Sequence, residues 1–334
     1  MSQSSPDSDP VSPDDMLPPV EPPSASFILQ LFVVPGVIVV AIVLVWLLFT
    51  WVARAGNDPT QYIAGLQRPG PGRWQVASNL ANTLRDERYE DFKRDPAAAQ
   101  QLAAILAEEL EAGSLDEKPV TLRVFLARAL GEFYVTDGLP VLIEAATTER
   151  DPVERDVRRA ALEAIALLAK NVQRETGRPL DSPELDAALR ELARDDDPQI
   201  RVRVAFALGV LGGEEDLALL ATMLRDANAD VRYNAATGLA RHGRLEAIDT
   251  LVEMLDPAQQ EGVELEQHPE MRETKRALIT VNALRAARLL AAANPAADLA
   301  PLIAAMQELA QADVPTPIQV EARETLEQLQ SQGS

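Results

Sequence analysis

Apolar positions along this chain fall into two regimes. From Phe27 to Ala53 the run FILQLFVVPGVIVVAIVLVWLLFTWVA carries no charge at all. As a helix rising about 1.5 Å per residue its 27 positions reach roughly 40 Å, enough to cross a hydrocarbon layer of ~30 Å with some tilt. The pattern therefore predicts a transmembrane helix over 27–53. Pro35 and Gly36 stand where they would kink or loosen its N-terminal third, and Trp46, Phe49 and Trp51 suit an interfacial belt at its far end. The competing reading is a cleaved signal peptide ending at Ala53-Arg54-Ala55. Against it, the preceding residues are acidic, and the run is about twice the usual ~7–15 residue apolar region.

After the span the pattern changes to apolar positions three and four apart, segment after segment, with no convincing strand pair. Asp58-Pro59 opens a short element that Pro69-Gly70-Pro71-Gly72 closes, and residues 54–72 read as a hinge between membrane and domain. Asp95-Pro96 repeats the start signal before a helix whose Leu102, Ile105, Leu106 and Leu110 share one face and whose Gly113 falls at the C-cap.

The later helices repeat one another. Aligning on an aliphatic residue followed by a basic one gives Leu122-Arg123, Val157-Arg158, Ile200-Arg201, Val231-Arg232 and Met271-Arg272, at spacings of 35, 43, 31 and 40 residues. Four positions after the arginine stand Ala127, Leu162, Ala205 and Ala236, with Arg276 breaking the pattern in the fifth copy. Seven after it stand Leu130, Ile165, Leu208, Leu239 and Ile279. Such a stripe, with small residues at the crossing, packs one helix on the next. A second amphipathic helix precedes each copy, as at Gly138-LPVLIEAA, Ser182-PELDAALREL, Glu214-EDLALLATML and Leu245-EAIDTLVEML. Helix pairs at a fixed period must stack to bury both faces, which makes a solenoid.

The pattern D-P-x-V/I-R-x-x-x-A-x-x-L-G, clearest at Asp197 to Gly209 and repeated around Asp230-Val231-Arg232 and Asp156-Val157-Arg158, resembles the HEAT repeat, in particular its short bacterial variety. The resemblance covers residues 118–293. It extends upstream to Arg73-Trp74-Gln75-Val76-Ala77-Ser78-Asn79-Leu80 and downstream to Ile318-Gln319, where glutamine replaces the arginine. Asn294-Pro295 is read as opening a penultimate helix through Leu309, and Pro317 as starting the last. The fold class expected is all-α: an α-solenoid of six to seven HEAT-like helix pairs over 73–330, one transmembrane helix before it, a disordered tail at 1–26 and a short tail at 331–334. The resemblance implies a superhelix that binds macromolecules on the concave side lined by its second helices.

Composition narrows the function. The formal net charge of -21, from 31 basic and 52 acidic residues, repels nucleic acid, and 4% aromatics supply few stacking platforms. Without cysteine there is neither a disulfide nor a thiolate ligand. The tail at 1–26 holds seven prolines and five acids but no basic residue, too polar to order itself. The first basic residue is Arg54, followed by Arg68 and Arg73, so the positive-inside rule puts the tail outside and everything after Arg54 in the cytoplasm. The membrane expected is a bacterial inner membrane.

Candidate chemistry is sparse. The repeat arginines Arg123, Arg158, Arg201, Arg232 and Arg272 form either an anion-binding ladder or, as favoured here, bridges to neighbouring repeats through the adjacent Asp156, Asp197 and Asp230. Asp195-Asp196-Asp197 reads as a helix start rather than a cation site. His242 and His268 lack a partner at ligand spacing, so the metal-dependent enzymes among HEAT-like proteins find no matching residues, nor do bilin lyases, and no motif of a nucleophile or phosphate loop is present. No enzymatic activity, cofactor, metal or small-molecule substrate is expected.

What remains is a surface for a protein partner. Positions one, two and five after the arginine are expected to face away from the core: Phe125, Arg128, Arg159, Glu163, Arg203, Phe206, Tyr233, Asn234 and Thr237. Phe125 and Phe206 equally fit a turn into the inter-helix groove. The insertions at 171–181 and 257–267 are either partner-specific loops or tolerated slack. The function expected is a membrane-anchored interaction scaffold. The alternative is an accessory subunit of a membrane transport or enzyme complex, whose span packs inside the assembly. Absence of a small-xxx-small face in the span disfavours it.

Overall fold

In a computed structural model of the chain, residues 24–55, 58–264 and 266–332 are described. Most of the acidic tail, and the end of the 331–334 tail, lie outside them. The described chain divides into two compact units at Asp58 and Pro59.

The first unit is helix α1, Ala25–Ala55, entered where the Ser24 hydroxyl accepts the Phe27 N–H at 3.3 Å. It runs through Pro35, and Thr50 returns its hydroxyl to the Trp46 carbonyl at 2.7 Å, sparing a polar group from apolar surroundings. The stretch Leu29–Thr50, of mean hydropathy 3.1, is long and apolar enough to cross a membrane, a test that a signal sequence also meets.

The second unit is helical among its described residues and consists of seven helix pairs. They are α2 (Pro59–Leu66) with α3 (Arg73–Leu84), α5 (Pro96–Ala112) with α6 (Glu117–Gly131), α7 (Leu139–Thr147) with α8 (Arg155–Thr176), and α9 (Pro183–Leu192) with α10 (Pro198–Leu211). After these come α11 (Glu214–Met223) with α12 (Ala229–Arg241), α13 (Ile248–Leu255) with α14 (Pro269–Ala293), and α15 (Ala300–Leu309) with α16 (Thr316–Gln332). A single turn, α4 (Glu90–Lys93), links the first two pairs.

Local chemistry sets the starts. Asp95, Asp197, Ser182 and Asn228 each accept a backbone N–H from the first turn they precede, and proline follows immediately at Pro96, Pro183 and Pro198. Gly212 ends α10 at φ 70, a left-handed conformation in which a Cβ would run into the His242 ring.

The second helices form one row, in which α3, α6, α8, α10, α12, α14 and α16 each pack on the next, while the first helices cover its back. The seam is filled as the repeat requires: Ala127, Leu162, Ala205, Ala236, Ile165 and Leu239 are fully buried. Where α10 crosses α12 the backbones nearly touch, since a Cβ on Gly209 would stand 2.8 Å from the Gly238 Cα. Only glycine on both sides admits that approach.

The structure departs from the sequence reading in three places. The segment taken as part of a hinge at 54–72 contains α2, whose Ile63 and Leu66 are buried against α3 and α5, so the first repeat begins at Pro59. Asn294-Pro295 does not open a helix. Asn294 closes α14 by donating to the Leu290 and Gly243 carbonyls, and α15 starts at Ala300, whose N–H is capped by Asp298. The insertion at 171–181 is half helix: α8 runs to Thr176, and buried Asn171 donates to the Gly131 carbonyl at 3.1 Å. In both cases a side-chain amide fills a carbonyl that the end of a neighbouring second helix leaves open.

Candidate functional site

The repeat arginines are joints between units. Each donates inward to a carbonyl near the end of its own unit's first helix and outward to a carboxylate of the following unit. Arg201 donates to the Asp195 carbonyl at 2.8 Å and grips Asp226 with two hydrogen bonds of 2.8 and 2.9 Å. Arg232 donates to the Asp226 carbonyl at 3.0 Å and reaches Glu253 at 2.7 Å. Arg158 donates to the Ala146 carbonyl and pairs with Asp195. Arg123, fully buried, donates to Ser114 at 2.7 Å and pairs at 3.2 Å with Glu154, itself only 1% exposed. Arg73 does the same one unit earlier, between the Leu66 carbonyl and Glu109.

The protonation equilibria follow these contacts. The hydrogen bonds to Asp226 raise the pKa of Arg201, and although burial pushes Asp226 up, those same bonds hold it below the usual carboxylate range. Burial lowers the Arg123 guanidinium from its ordinary value, against the pull of Glu154.

The arginines thus bridge neighbouring units, but through carboxylates other than the ones expected. Asp197 caps α10 and pairs with Arg155, Asp230 pairs with Lys275 at 3.0 Å, and Asp156 meets Arg159 at 3.5 Å. The fifth arginine is also displaced. Arg272 is exposed and, among the described residues, donates only to the nearby Glu266 carbonyl, while Arg276, one turn later, takes the inward bond by donating to the Pro257 carbonyl at 2.8 Å. In the last unit Gln319 replaces the arginine and still reaches the Ala312 carbonyl at 2.9 Å. Sequence offsets alone missed Arg276, because the loop before α14 shifts the register by one turn. They missed Glu154 and Asp226 because the partner lies across the seam, in another unit.

The expected surface residues divide by offset. Phe125, Arg128, Arg159 and Glu163 come together on a shallow groove of about 320 Å³ between α6 and α8, where the exposed Arg128 guanidinium lies 5.5 Å from the Phe125 ring centre. Glu163 binds Arg203 across to α10 at 2.6 Å, and one turn on Phe206 stands 41% exposed. Of the two aromatics, then, Phe125 leans into the groove and Phe206 stays in solvent. Asn234 and Thr237 are half-buried and bond to their own helix through the Asp230 and Asn234 carbonyls. Tyr233 is not on the surface: it is 3% exposed, and its hydroxyl donates to Glu253 at 3.0 Å. Burial, reinforced by that carboxylate, raises its pKa. At Tyr233 and Val202 the first position after the arginine points beside the seam, whereas at Arg159 it reaches the groove.

Asp195 and His242 hold structural contacts. Asp195 accepts the Asp197 N–H at 2.8 Å, and His242 sits 3.0 Å from the Gly209 carbonyl beside Arg241, which donates to that same oxygen. Among the described residues no group of three His, Cys, Asp or Glu is placed to hold a metal ion.

A family model for HEAT repeats matches residues 185–264, which span α9 to the loop after α13. No curated protein matches the chain. Among solved structures, the chain is similar to an archaeal HEAT-like repeats protein from Thermococcus onnurineus NA1, at 16% identity over 83% of this chain and 98% of that one with a TM-score of 0.45. It is also similar to the complex of CpcE and CpcF of phycocyanin lyase from Nostoc sp. PCC7120, at 18% identity over 81% and 94% with a TM-score of 0.42. A third is human deoxyhypusine hydroxylase in complex with glycerol, at 21% identity over 86% and 98% with a TM-score of 0.28. Repeats of the matched kind generally mediate protein interactions.

Proposed function

The chain belongs to the HEAT-repeat proteins, and on that premise we propose that it is a membrane-anchored scaffold that docks a protein partner on the open face of its second-helix row. The observation carrying this reading is the exposed pair Arg128 and Phe206, with Phe125 beneath Arg128: aromatic and arginine side chains that the stacking does not require. Seam residues in this fold are aliphatic, alanine or glycine, so an exposed phenylalanine on the row's outer side has no packing role to explain it. The apolar stretch Leu29–Thr50 supplies the anchor. Held at a bilayer, the solenoid meets its partner at raised local concentration.

In the arrangement that fits the basic residues Arg54, Arg68 and Arg73, the N-terminal tail is outside and the repeats are cytoplasmic. A C-terminal phosphatase reporter active outside the cytoplasm would reverse it. The scaffold reading is tested by recovering a stoichiometric partner from detergent extract with the wild-type chain and losing it with Phe206→Ala combined with Arg128→Glu. Recovery unaffected by those two changes would remove the face from the account. Replacing the span by a generic leucine helix should leave recovery intact; loss would favour a subunit whose helix packs within a membrane complex.

A further inference from the structure

The ladder of arginine joints has one open rung. In two of the aligned units the outward carboxylate stands three residues before the second helix begins: Asp195 before Pro198, and Asp226 before Ala229. In the last unit the same place, three residues before Thr316, is held by Asp313. The arginine due to meet it is Arg276, yet Arg276 spends its donors on its own loop, at the Pro257 carbonyl (2.8 Å) and Gln260 (3.1 Å). Among the described residues neither side chain forms an ion pair with the other. Instead a groove of about 580 Å³ lies between them, walled by Ala277 and Val314 and floored by the buried Leu309 and Ile318.

We propose that this groove binds a peptide segment of a partner protein in which an arginine stands beside aliphatic residues. The partner's guanidinium completes the rung on Asp313, and its aliphatic side chains cover the apolar walls. Two observations select that chemistry. The two other aspartates at this position, Asp195 and Asp226, are each paired with an arginine of the preceding unit, so the site has the geometry a guanidinium matches. The groove also carries a second exposed carboxylate, Glu273, so with Arg276 its net charge is negative, within a chain of net charge -21. An acidic segment would meet two carboxylates and one arginine already engaged. The proposal is independent of the open-face reading, since the groove lies at the loop edge between α14 and α16 and shares no residue with that face.

The test uses the full chain in nonionic detergent and a fluorescein-labelled hexapeptide of alternating leucine and arginine, read by anisotropy against empty micelles. The control peptide carries glutamate for arginine. Saturable binding of the arginine peptide alone is expected, weakened about tenfold or more by Asp313→Asn, which removes one charge-assisted contact. Glu324→Gln, an exposed acid on α16 outside the groove, should leave the affinity unchanged. Absence of saturable binding overturns the proposal. So does equal weakening by the two substitutions, which would mean only diffuse attraction to an acidic protein. Asp313 makes no rung of its own, so Asp313→Asn should unfold at the wild-type temperature, and the affinity loss is then not a folding defect.

Discussion

Replacing Glu154 by leucine removes the carboxylate that faces the fully buried Arg123 guanidinium at 3.2 Å. Two unit charges at that distance attract by about 5 kcal/mol at an effective dielectric of about 20, and most of that offsets their desolvation while both are present. With the acid gone the desolvation remains and the attraction does not, so Glu154→Leu should cost roughly 3–5 kcal/mol. Arg123→Met should cost less. Glu154 would keep the two bonds from the Arg150 guanidinium, at 2.8 and 3.0 Å, and a third from the Arg150 N–H, whereas Arg123 has only carbonyls to fall back on. Joint replacement of both should recover much of the loss, because no charge is then stranded.

Urea unfolding followed by circular dichroism on the full chain in detergent measures all three variants. For a unit of this size the single Glu154→Leu change corresponds to a fall in unfolding temperature of roughly 10 °C. Because a solenoid is stabilised by neighbour contacts, hydrogen exchange should quicken first in α5 to α8. A loss under about 1 kcal/mol, the value of an exposed pair, would refute the reasoning, as would a double variant worse than the sum of the singles.

Gly209→Ala places a methyl 2.8 Å from the Gly238 Cα, and prising α10 from α12 should cost roughly 1–3 kcal/mol by the same unfolding measurement; an unchanged midpoint would show that the seam can yield. Arg201→Ala strips Asp226 of two hydrogen bonds and should lower stability by roughly 2–3 kcal/mol, whereas unchanged unfolding would make the ladder functional, not structural. Asp216 has its pKa pushed up to about 6, chiefly by burial, with Asp186 and Glu215 adding to it. A carboxyl whose folded pKa is raised binds its proton more tightly folded than unfolded, so its penalty is present above about pH 6 and is relieved as pH falls toward about 4. Unfolding midpoints should therefore rise relative to Asp216→Asn between pH 7 and pH 4.5; parallel profiles would contradict the assignment.

The fold was legible because a stacking helix has to repeat its stripe: alanine and leucine four and seven residues after the arginine are what a seam admits, and Ala205 and Leu208 sit there as expected. What could not be read was anything depending on a neighbour. Arg201 announces itself, but Asp226, in the next unit, carries no local mark. For α2 the start at Asp58-Pro59 was legible, but not the burial of Ile63 and Leu66 against α3 and α5 that makes it part of the first repeat. In the fifth copy the sequence offers Arg272 and Arg276 on one helix face, and only the path of the preceding loop decides that the second meets the Pro257 carbonyl. The expectation that the side chains face outward holds at Arg128 and Phe206, which are exposed. It failed at Tyr233, where a bulky residue fills space beside α13 and finds Glu253 for its hydroxyl.

Site-specific photocrosslinking in native membranes tests the scaffold claim most directly. A photoreactive side chain at Phe206 or Arg128 should yield one discrete adduct with the same partner protein, and the same group at the exposed Glu108 of α5 or Glu191 of α9, on the first-helix row, should yield none. Adducts from the first-helix positions but not from Phe206 or Arg128, or none from any of the four, would contradict it.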